Sequence, residues 1–590
     1  MKLSGRTARP RLRRPLSRMD GDRVSEPSPR SQKPPRERSL TLVPQERGVL
    51  PDLLHAQPAI SVDETALLNA LSFAFVAGSA GGSLQTALSR TALAASSFSP
   101  EALQGGLFLE ELVALAFDFP LEGKPAPIDR AHLLRLLMRP PQERVDIELR
   151  QSVLRELDAS PALSAALTRV YAAVSILPGL LDDEGSDARL DTNQWRLDVL
   201  RAIREALRSL DSAFADAHSA LKRLHQFGEQ VRSTRGYEQL EALLDFEADS
   251  ARVDLQLCMG ADGKVRTLAI TSLRERRLAP FHVPPLLRLW RRLSAFLRGF
   301  TLGANEIVDR WLEAVWDGVK EYVPGLLQLK GDLELYLGAL HFKRLAQQKG
   351  LPVCLPKIIA RDATAQSLPK KIEALWNPLL LAQERPPVST DVTLPSFIYT
   401  CITTGPNSGG KTRFLQAIAL SQLLGQVGCF VPAREASIRL VSGMFVSLGE
   451  APHADQKEGR LGMELTRVRS LFEHAKGGSM VVLDELCSGT NPSEGEEIFR
   501  MLLELLHELE HEVHITTHFL SFAASLQVEA ESLGLSFLQV ELDATQHPTY
   551  RFLPGVATTS LAHQTAERLG VTREQLRQLI KRREDDPRGT

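Results

Sequence analysis

Gly405-Pro406-Asn407-Ser408-Gly409-Gly410-Lys411-Thr412 is the stretch around which the rest of this chain is read. It follows the apolar run Phe397-Ile-Tyr-Thr-Cys-Ile402 and precedes a helical pattern that begins near Arg413. Strand, glycine loop and helix in that order are what a phosphate-binding P-loop requires. Glycines at 405, 409 and 410 let the backbone turn its N–H groups onto phosphate oxygens without interference from a Cβ. Lys411 adds a positive charge at the β and γ phosphates, and Thr412 offers a hydroxyl to Mg²⁺. The helix N-terminus stabilises the anion further. All eight residues are expected to line a nucleoside triphosphate site.

A second motif completes the set. Ser479-Met-Val-Val-Leu483 is a short apolar, β-branched run that ends at Asp484-Glu485. A buried parallel strand delivers a carboxylate pair to the phosphate end of a sheet in this way. Asp484 is expected to hold Mg²⁺, directly or through water, and Glu485 to polarise the attacking water. A third run, Val513-His-Ile-Thr-Thr517, ends at His518, an expected γ-phosphate contact. Phosphoryl transfer is mostly positioning and charge neutralisation, so a phosphate loop, a metal ligand and a water-orienting group are the parts it needs.

The 590 residues are enough for roughly three to four domains. Hydrophobic content of 43% and charged content of 24% are ordinary for a soluble globular chain. A net charge of −2 hides an asymmetry, because residues 1–40 carry twelve Lys/Arg against four Asp/Glu. Rich also in Pro and Ser, residues 1–52 read as a disordered basic leader that cannot bury enough apolar surface to offset chain entropy. Such an arm suits a nucleic-acid tether, and equally a solubilising extension. It has no apolar h-region, so no secretory signal is read. The uncharged stretch Thr65–Ser89 is broken by Asn69, Gln85, serines and glycines, which suits a bilayer poorly, and no membrane association is expected. Cys258, Cys354, Cys401, Cys429 and Cys487 are scattered, so neither a zinc site nor a disulfide framework is indicated. The expected location is the cytoplasm.

Ala and Leu at helical spacing fill much of Leu53 to Arg139, and Arg139-Pro-Pro141 separates this from an amphipathic run, Val145–Leu157. There Val145, Ile147, Leu149, Val153, Leu154 and Leu157 mostly fall on one stripe. Trp195–Arg235 reads as a long helical pattern. Val253–Leu257 and Val265–Ile270 alternate around Gly260-Ala-Asp-Gly263, which predicts a β-hairpin. Arg274–Arg298 interleaves seven arginines with Trp290 and Phe296. It reads either as a nucleic-acid contact or as a helix with one solvated face. Asp332–Gln348 is again helical, and a Pro-punctuated segment leads into the nucleotide-binding region.

The joint pattern narrows the family. Gly-Pro-Asn-x-Gly-Gly-Lys-Thr resembles the P-loop of the MutS family of DNA mismatch-repair ATPases. Asp484-Glu-Leu-Cys-Ser-Gly-Thr-Asn-Pro-Ser-Glu-Gly495 resembles that family's Walker B and D-loop, in a form closer to the MutS2 branch. Thr516-Thr-His518 is similar to its Thr-His switch, and Gly428-Cys-Phe-Val-Pro-Ala433 to its Gly-x-Tyr-Val-Pro-Ala segment. Ser560-Leu-Ala-His563 with Ala566–Val571 resembles the C-terminal helix-turn-helix that packs two ATPase domains together. More weakly, Glu148–Val153 resembles the opening of the MutS core domain, and Asn377-Pro-Leu-Leu380 with Thr390–Leu394 the lead-in to the ATPase. The resemblance implies a multidomain chain in four parts. These are the leader 1–52, a mainly α-helical core and lever region 53–370 with a small β-hairpin near 253–270, an α/β P-loop ATPase domain of ABC type at 371–555, and a C-terminal helix-turn-helix and tail at 556–590.

It further implies ATP and Mg²⁺ as cofactors, Glu485, His518 and Lys411 as catalytic, Thr412 and Asp484 as metal ligands, DNA as partner and a homodimer as the working state. Three departures qualify this. Gly459-Arg-Leu-Gly-Met-Glu464 stands where the family's trans signature should fall, without its Ser-Thr-Phe. Phe108-Leu-Glu110 has the letters of the mismatch-reading Phe-x-Glu but helical surroundings. The chain to Thr590 shows no Leu-Asp-Leu-His-Gly segment of an Smr nuclease domain. A DNA clamp that is not a mismatch reader is therefore expected. An RNA- or ribosome-associated clamp and a regulatory scaffold with a decayed ATPase are the other readings.

Overall fold

The computed structural model describes residues 48–80, 82–89, 100–182, 192–249, 252–259, 265–274, 304–361, 368–396, 399–448, 460–487, 490–558 and 570–584. Short β-branched runs build its main sheet. Strands β8 (Thr400–Thr404), β10 (Met444–Ser447), β11 (Met480–Leu483), β12 (Glu512–Thr516), β13 (Leu535–Leu542) and β14 (Pro548–Pro554) lie in the order β10-β11-β12-β8-β13-β14. The first five are parallel and β14 closes one edge antiparallel. Every residue of β8, β11 and β12 is buried, as expected of parallel strands covered on both faces. Register sets Thr403 opposite Thr516 and Leu483 opposite Ile515. The chain segments following β8, β11 and β12 therefore leave the sheet side by side. Ligands in such sheets bind beyond the carboxyl ends of the strands.

A second sheet lies in the order β5-β9-β6-β7, from Lys357–Ile359, Glu435–Arg439, Lys370–Leu375 and Thr390–Leu394. It meets the main sheet at Thr390, whose hydroxyl accepts from the Phe552 N–H at 3.0 Å. Lys370 of β6 and Glu512 of β12 form a fully buried ion pair, and His514 joins it at 3.1 Å.

The helical region is organised around Val323–Gln348, whose first eighteen residues are all buried. Pro324 fits its first turn, where a missing N–H costs nothing. Its polar members are satisfied by a strap of chain at 48–62. The Leu53 N–H donates to Asp332 Oδ2 at 3.0 Å, and Tyr336 Oη donates to the Leu53 carbonyl at 2.6 Å. Gln328 accepts from the Ser61 N–H at 2.7 Å. Part of the stretch read as leader is thus packed, with Pro51 and Asp52 buried. Of the shorter elements, β1 (Pro120–Leu121) and β2 (Lys124–Pro125) make a minimal ladder. The apolar stretch Pro161–Leu181 is long and apolar enough to cross a bilayer by length and composition. Its Leu167, Val170, Tyr171 and Val174 are buried in the same core as the central helix.

The predicted hairpin forms, with β3 (Arg252–Met259) antiparallel to β4 (Val265–Arg274) and two register shifts. The amphipathic run becomes the helix Arg144–Ala159 with Ile147, Val153, Leu154 and Leu157 inward, whereas Leu149 is half-buried and Val145, in the first turn, is exposed. The long pattern Trp195–Arg235 differs from expectation. Helix Thr192–Ser209 stops there, a short 3-10 turn follows at Ser212–Phe214, and Lys222–Arg232 is a separate helix. Asp211 causes the break by accepting the Ala213 N–H at 2.8 Å, a capping bond that competes with helix continuation. Residues 1–47, the turn 260–263, the arginine stretch from 275 onward and Ser560–Leu569 lie outside the described residues. Of the expected C-terminal helix-turn-helix, the helix Arg573–Glu584 is described.

Candidate nucleotide site

The loop Gly405–Gly410 leaves β8 and enters the helix Lys411–Val427. Gly405 has φ 143°, and a Cβ there would sit 2.6 Å from Val540 Cγ2. Gly410 has φ 87° and caps the helix in the left-handed region. At Gly409 a Cβ would meet the Pro406 carbonyl at 2.9 Å. Only glycine fits these three positions without strain, so the backbone stays open to an anion at the helix N-terminus. Ser408 also sits at positive φ, 67°. Lys411 is buried, and its Nζ donates to the carbonyls of Gly405 at 3.0 Å and Pro406 at 3.2 Å. It lies 4.0 Å from Glu485 Oε1. Burial lowers its pKa, against the raising influence of Glu485 and Asp484.

β11 delivers the acidic pair. Thr412 Oγ1 donates to Asp484 Oδ2 at 2.6 Å, so two oxygen ligands from different elements meet. That donor set suits Mg²⁺, which takes hard oxygen ligands and one or two protein groups beside phosphate. On the other side Thr516 Oγ1 donates to Asp484 Oδ1 and accepts the Glu485 N–H at 2.8 Å. His518 follows β12 directly; the Thr517 N–H donates to the Thr403 carbonyl at 3.1 Å, and the His518 ring lies 4.3 Å from that of Phe519. Lys411, Thr412, Asp484 and Glu485 are therefore brought together; His518 lies just beyond the end of β12 and does not line the cavity that holds Lys411 and Glu485. Asn407, Ser408, Gly409 and Gly410 line the same cavity as Lys411 and Glu485, and Gly405 and Pro406 hold the lysine.

That cavity measures about 690 Å³ and extends beyond what motif reading reached. Its lining also includes Asn377, Arg385, Val388, Phe414, Tyr550 and Phe552. Phe414 and Phe552 stack at 4.1 Å. Asn377 Nδ2 donates to the Arg413 carbonyl at 2.8 Å, tying the lead-in segment to the P-loop helix. Aromatic side chains beside the phosphate loop, with Tyr550 Cδ1 3.2 Å from where a Gly410 Cβ would sit, suit a nucleotide. The aromatic signal in the sequence, Tyr550-Arg-Phe552, carries no spacing to connect it to residue 410, so it was not legible there. The position read as a trans signature opens the helix Arg460–His474, with Gly459 outside the described residues.

Strand, glycine loop, helix and a parallel strand one place removed in the sheet, followed at once by Asp-Glu, define a P-loop nucleotide-binding fold. Residues 401–581 match the family model of MutS domain V. An endonuclease MutS2 from Thermomicrobium roseum is 29% identical over 404 residues, covering 65% of this chain and 49% of that protein. An endonuclease MutS2 from Caldanaerobacter subterraneus is 32% identical over 189 residues, 32% of this chain and 24% of the relative. Another, from Streptococcus agalactiae, is 33% identical over 190 residues, 31% and 24% of the two chains. The chain is thus similar to endonuclease MutS2 proteins, most strongly over the residues that match MutS domain V. It spans about half the length of the first of these relatives and about a quarter of the other two.

Proposed function

We propose that this chain is a Mg²⁺-dependent ATPase of the MutS type, in which ATP binding and hydrolysis drive a homodimeric clamp on DNA. The observation that carries it is that Lys411, Thr412 and Glu485 line one nucleotide-sized cavity, with Asp484 hydrogen-bonded to Thr412. Lys411 and the backbone N–H groups of 409–412 bind and orient the terminal phosphates. Thr412 and Asp484 would hold Mg²⁺, which supplies charge neutralisation between phosphates. Glu485 orients the attacking water and accepts its proton, and His518 contacts the γ-phosphate. The aromatic wall of Phe414, Tyr550 and Phe552 receives the base.

The dimer reading draws support from the helix Arg573–Glu584, which leaves Leu576, Leu579 and Ile580 exposed at 42%, 53% and 57%. Apolar residues at that spacing make a stripe suited to a second copy. DNA as the clamped polymer is supported by the likeness to MutS domain V and to endonuclease MutS2 proteins, and the helical region would supply the rigid arm that a clamp needs.

The test is the steady-state ATPase rate of the full chain with homoduplex, branched and mismatched DNA and with structured RNA, at one fixed salt concentration. Stimulation by DNA is expected; stimulation by RNA alone would replace the DNA reading, and no hydrolysis at all would favour a scaffold. Lys411→Ala is the control, expected to stay folded and lose turnover by on the order of 10²-fold or more.

A further inference from the structure

We infer that Glu464 is a positioning residue for the carboxylate turn Asp484–Cys487, aiming Glu485 from the helix Arg460–His474. The inference rests on the ATPase reading above. Two non-glycine residues in this turn occupy the left-handed region, Glu485 at φ 49° and Cys487 at φ 62°. Side chains rarely adopt it, and it persists only where the surroundings over-determine the backbone. Three elements supply that constraint. From β12, Thr516 Oγ1 accepts the Glu485 N–H at 2.8 Å. From the helix Pro492–Glu508, Gly495 admits the turn, since a Cβ there would sit 3.2 Å from the Cys487 carbonyl. From the helix Arg460–His474, Glu464 Oε2 accepts the Cys487 N–H at 3.0 Å.

The two hydrogen-bond anchors are not equivalent. Thr516 also donates to Asp484, so the metal ligand is fixed from the sheet whatever the helix does. Glu464 holds the far end of the turn, beyond Glu485, by a charge-assisted bond to a buried backbone N–H. Its loss leaves that N–H without its acceptor and lets the turn relax toward ordinary φ, carrying Glu485 away from Lys411. Nucleotide and metal binding are thereby separable from water orientation. Glu464 also lies in the helix that opens where the trans signature was sought, so any displacement of that helix is transmitted to Glu485 through this bond.

The experiment compares full-length wild type, E464A and E464Q in ATP turnover, binding of a fluorescent ATP analogue, thermal melting and amide exchange at 484–487. For E464A, kcat is expected to fall about tenfold while nucleotide Kd stays within about twofold, since only an orienting contact is removed. Exchange at the Cys487 amide should accelerate. E464Q, whose amide oxygen still accepts, should keep kcat within about threefold of wild type. Unchanged kcat in E464A, equal losses in kcat and Kd, or an E464Q as slow as E464A would each overturn the inference. If E464A does not fold, E464D, one methylene short of the turn, is read by the same criteria. Absence of hydrolysis in wild type would defeat the ATPase reading, yet unaltered Cys487 exchange in the variant would still separately defeat this one.

Discussion

At the scale of single residues, the site depends on two threonines that hold one aspartate. Asp484 receives hydroxyls from Thr412 and Thr516, which aligns the P-loop helix, β11 and β12 on a common point. Glu485, one residue on, has its backbone fixed by Thr516 and its carboxylate 4.0 Å from Lys411 Nζ. Glu485→Gln is therefore expected to leave nucleotide affinity unchanged and to slow hydrolysis by on the order of 10²-fold, the usual contribution of a positioned base. Single-turnover hydrolysis beside equilibrium nucleotide binding measures both; undiminished turnover would remove Glu485 from the role. Gly405 to Thr412 and Asp484-Glu485 were readable because each function there needs a fixed residue type at a fixed spacing. Thr516 appeared in the sequence only as part of a switch motif. Its double hydrogen bond depends on the register of β11 against β12, which no local pattern encodes.

At the scale of elements, the helix Lys411–Val427 is gripped at both ends. Its N-terminus faces the phosphate loop, and its C-terminal Val427 carbonyl accepts from Arg150 Nη1 at 3.1 Å. Arg150 Nε reaches the Leu54 carbonyl at 3.1 Å in the strap, so one guanidinium joins three elements. A cation is favourable where carbonyls are left over at a helix end. Gly428, at φ 97°, makes the approach possible, because a Cβ there would sit 2.7 Å from Arg150 Cβ. Arg150→Ala strands two buried carbonyls and should destabilise the protein by about 3 kcal/mol. Urea denaturation checks this; a loss below about 1 kcal/mol would show that the carbonyls find other partners. Amphipathic surface helices such as Arg144–Ala159 were legible from their stripe. The buried helices were less so: Val323–Gln348 was recognised only from Asp332, because its apolar residues face all directions and leave no period to read.

At the scale of the whole molecule, buried imidazoles tie stability to pH. Burial pushes His511, near Arg439, and His132, near Arg135 and Lys330, down to about 4 from 6.5. The unfolded chain takes up these protons first, so the stabilisation is complete above pH 6.5 and is lost as pH falls through 4. Glu512 adds to this at lower pH. Burial raises its pKa, but Lys370 and His514 outweigh burial and hold it at about 2, so its contribution disappears as pH falls from 4.5 through 2. Urea midpoints measured from neutral pH to 4 should decline below 6.5, and His511→Asn should flatten that decline. An identical slope in the variant would exclude His511 as a source. The sequence reads as a helical part followed by a nucleotide-binding part. It could not show that one continuous apolar core runs through both, because that depends on contacts between residues hundreds of positions apart.

The order of synthesis adds a consequence. One side of the helix Lys411–Val427 lies on the helices Pro100–Leu107, Arg130–Met138 and Arg144–Ala159, and another on β9 and β12. A ribosome makes the three receiving helices long before the helix that fills the space between them. At roughly 5–20 residues per second the interval is on the order of tens of seconds. Through that interval the three helices lack the partner against which they pack in the finished protein, and the buried helix Lys411–Val427 covers them when it arrives. The segment that grips phosphate in the finished protein is thus also the late insert on which the maturation of the earlier half waits.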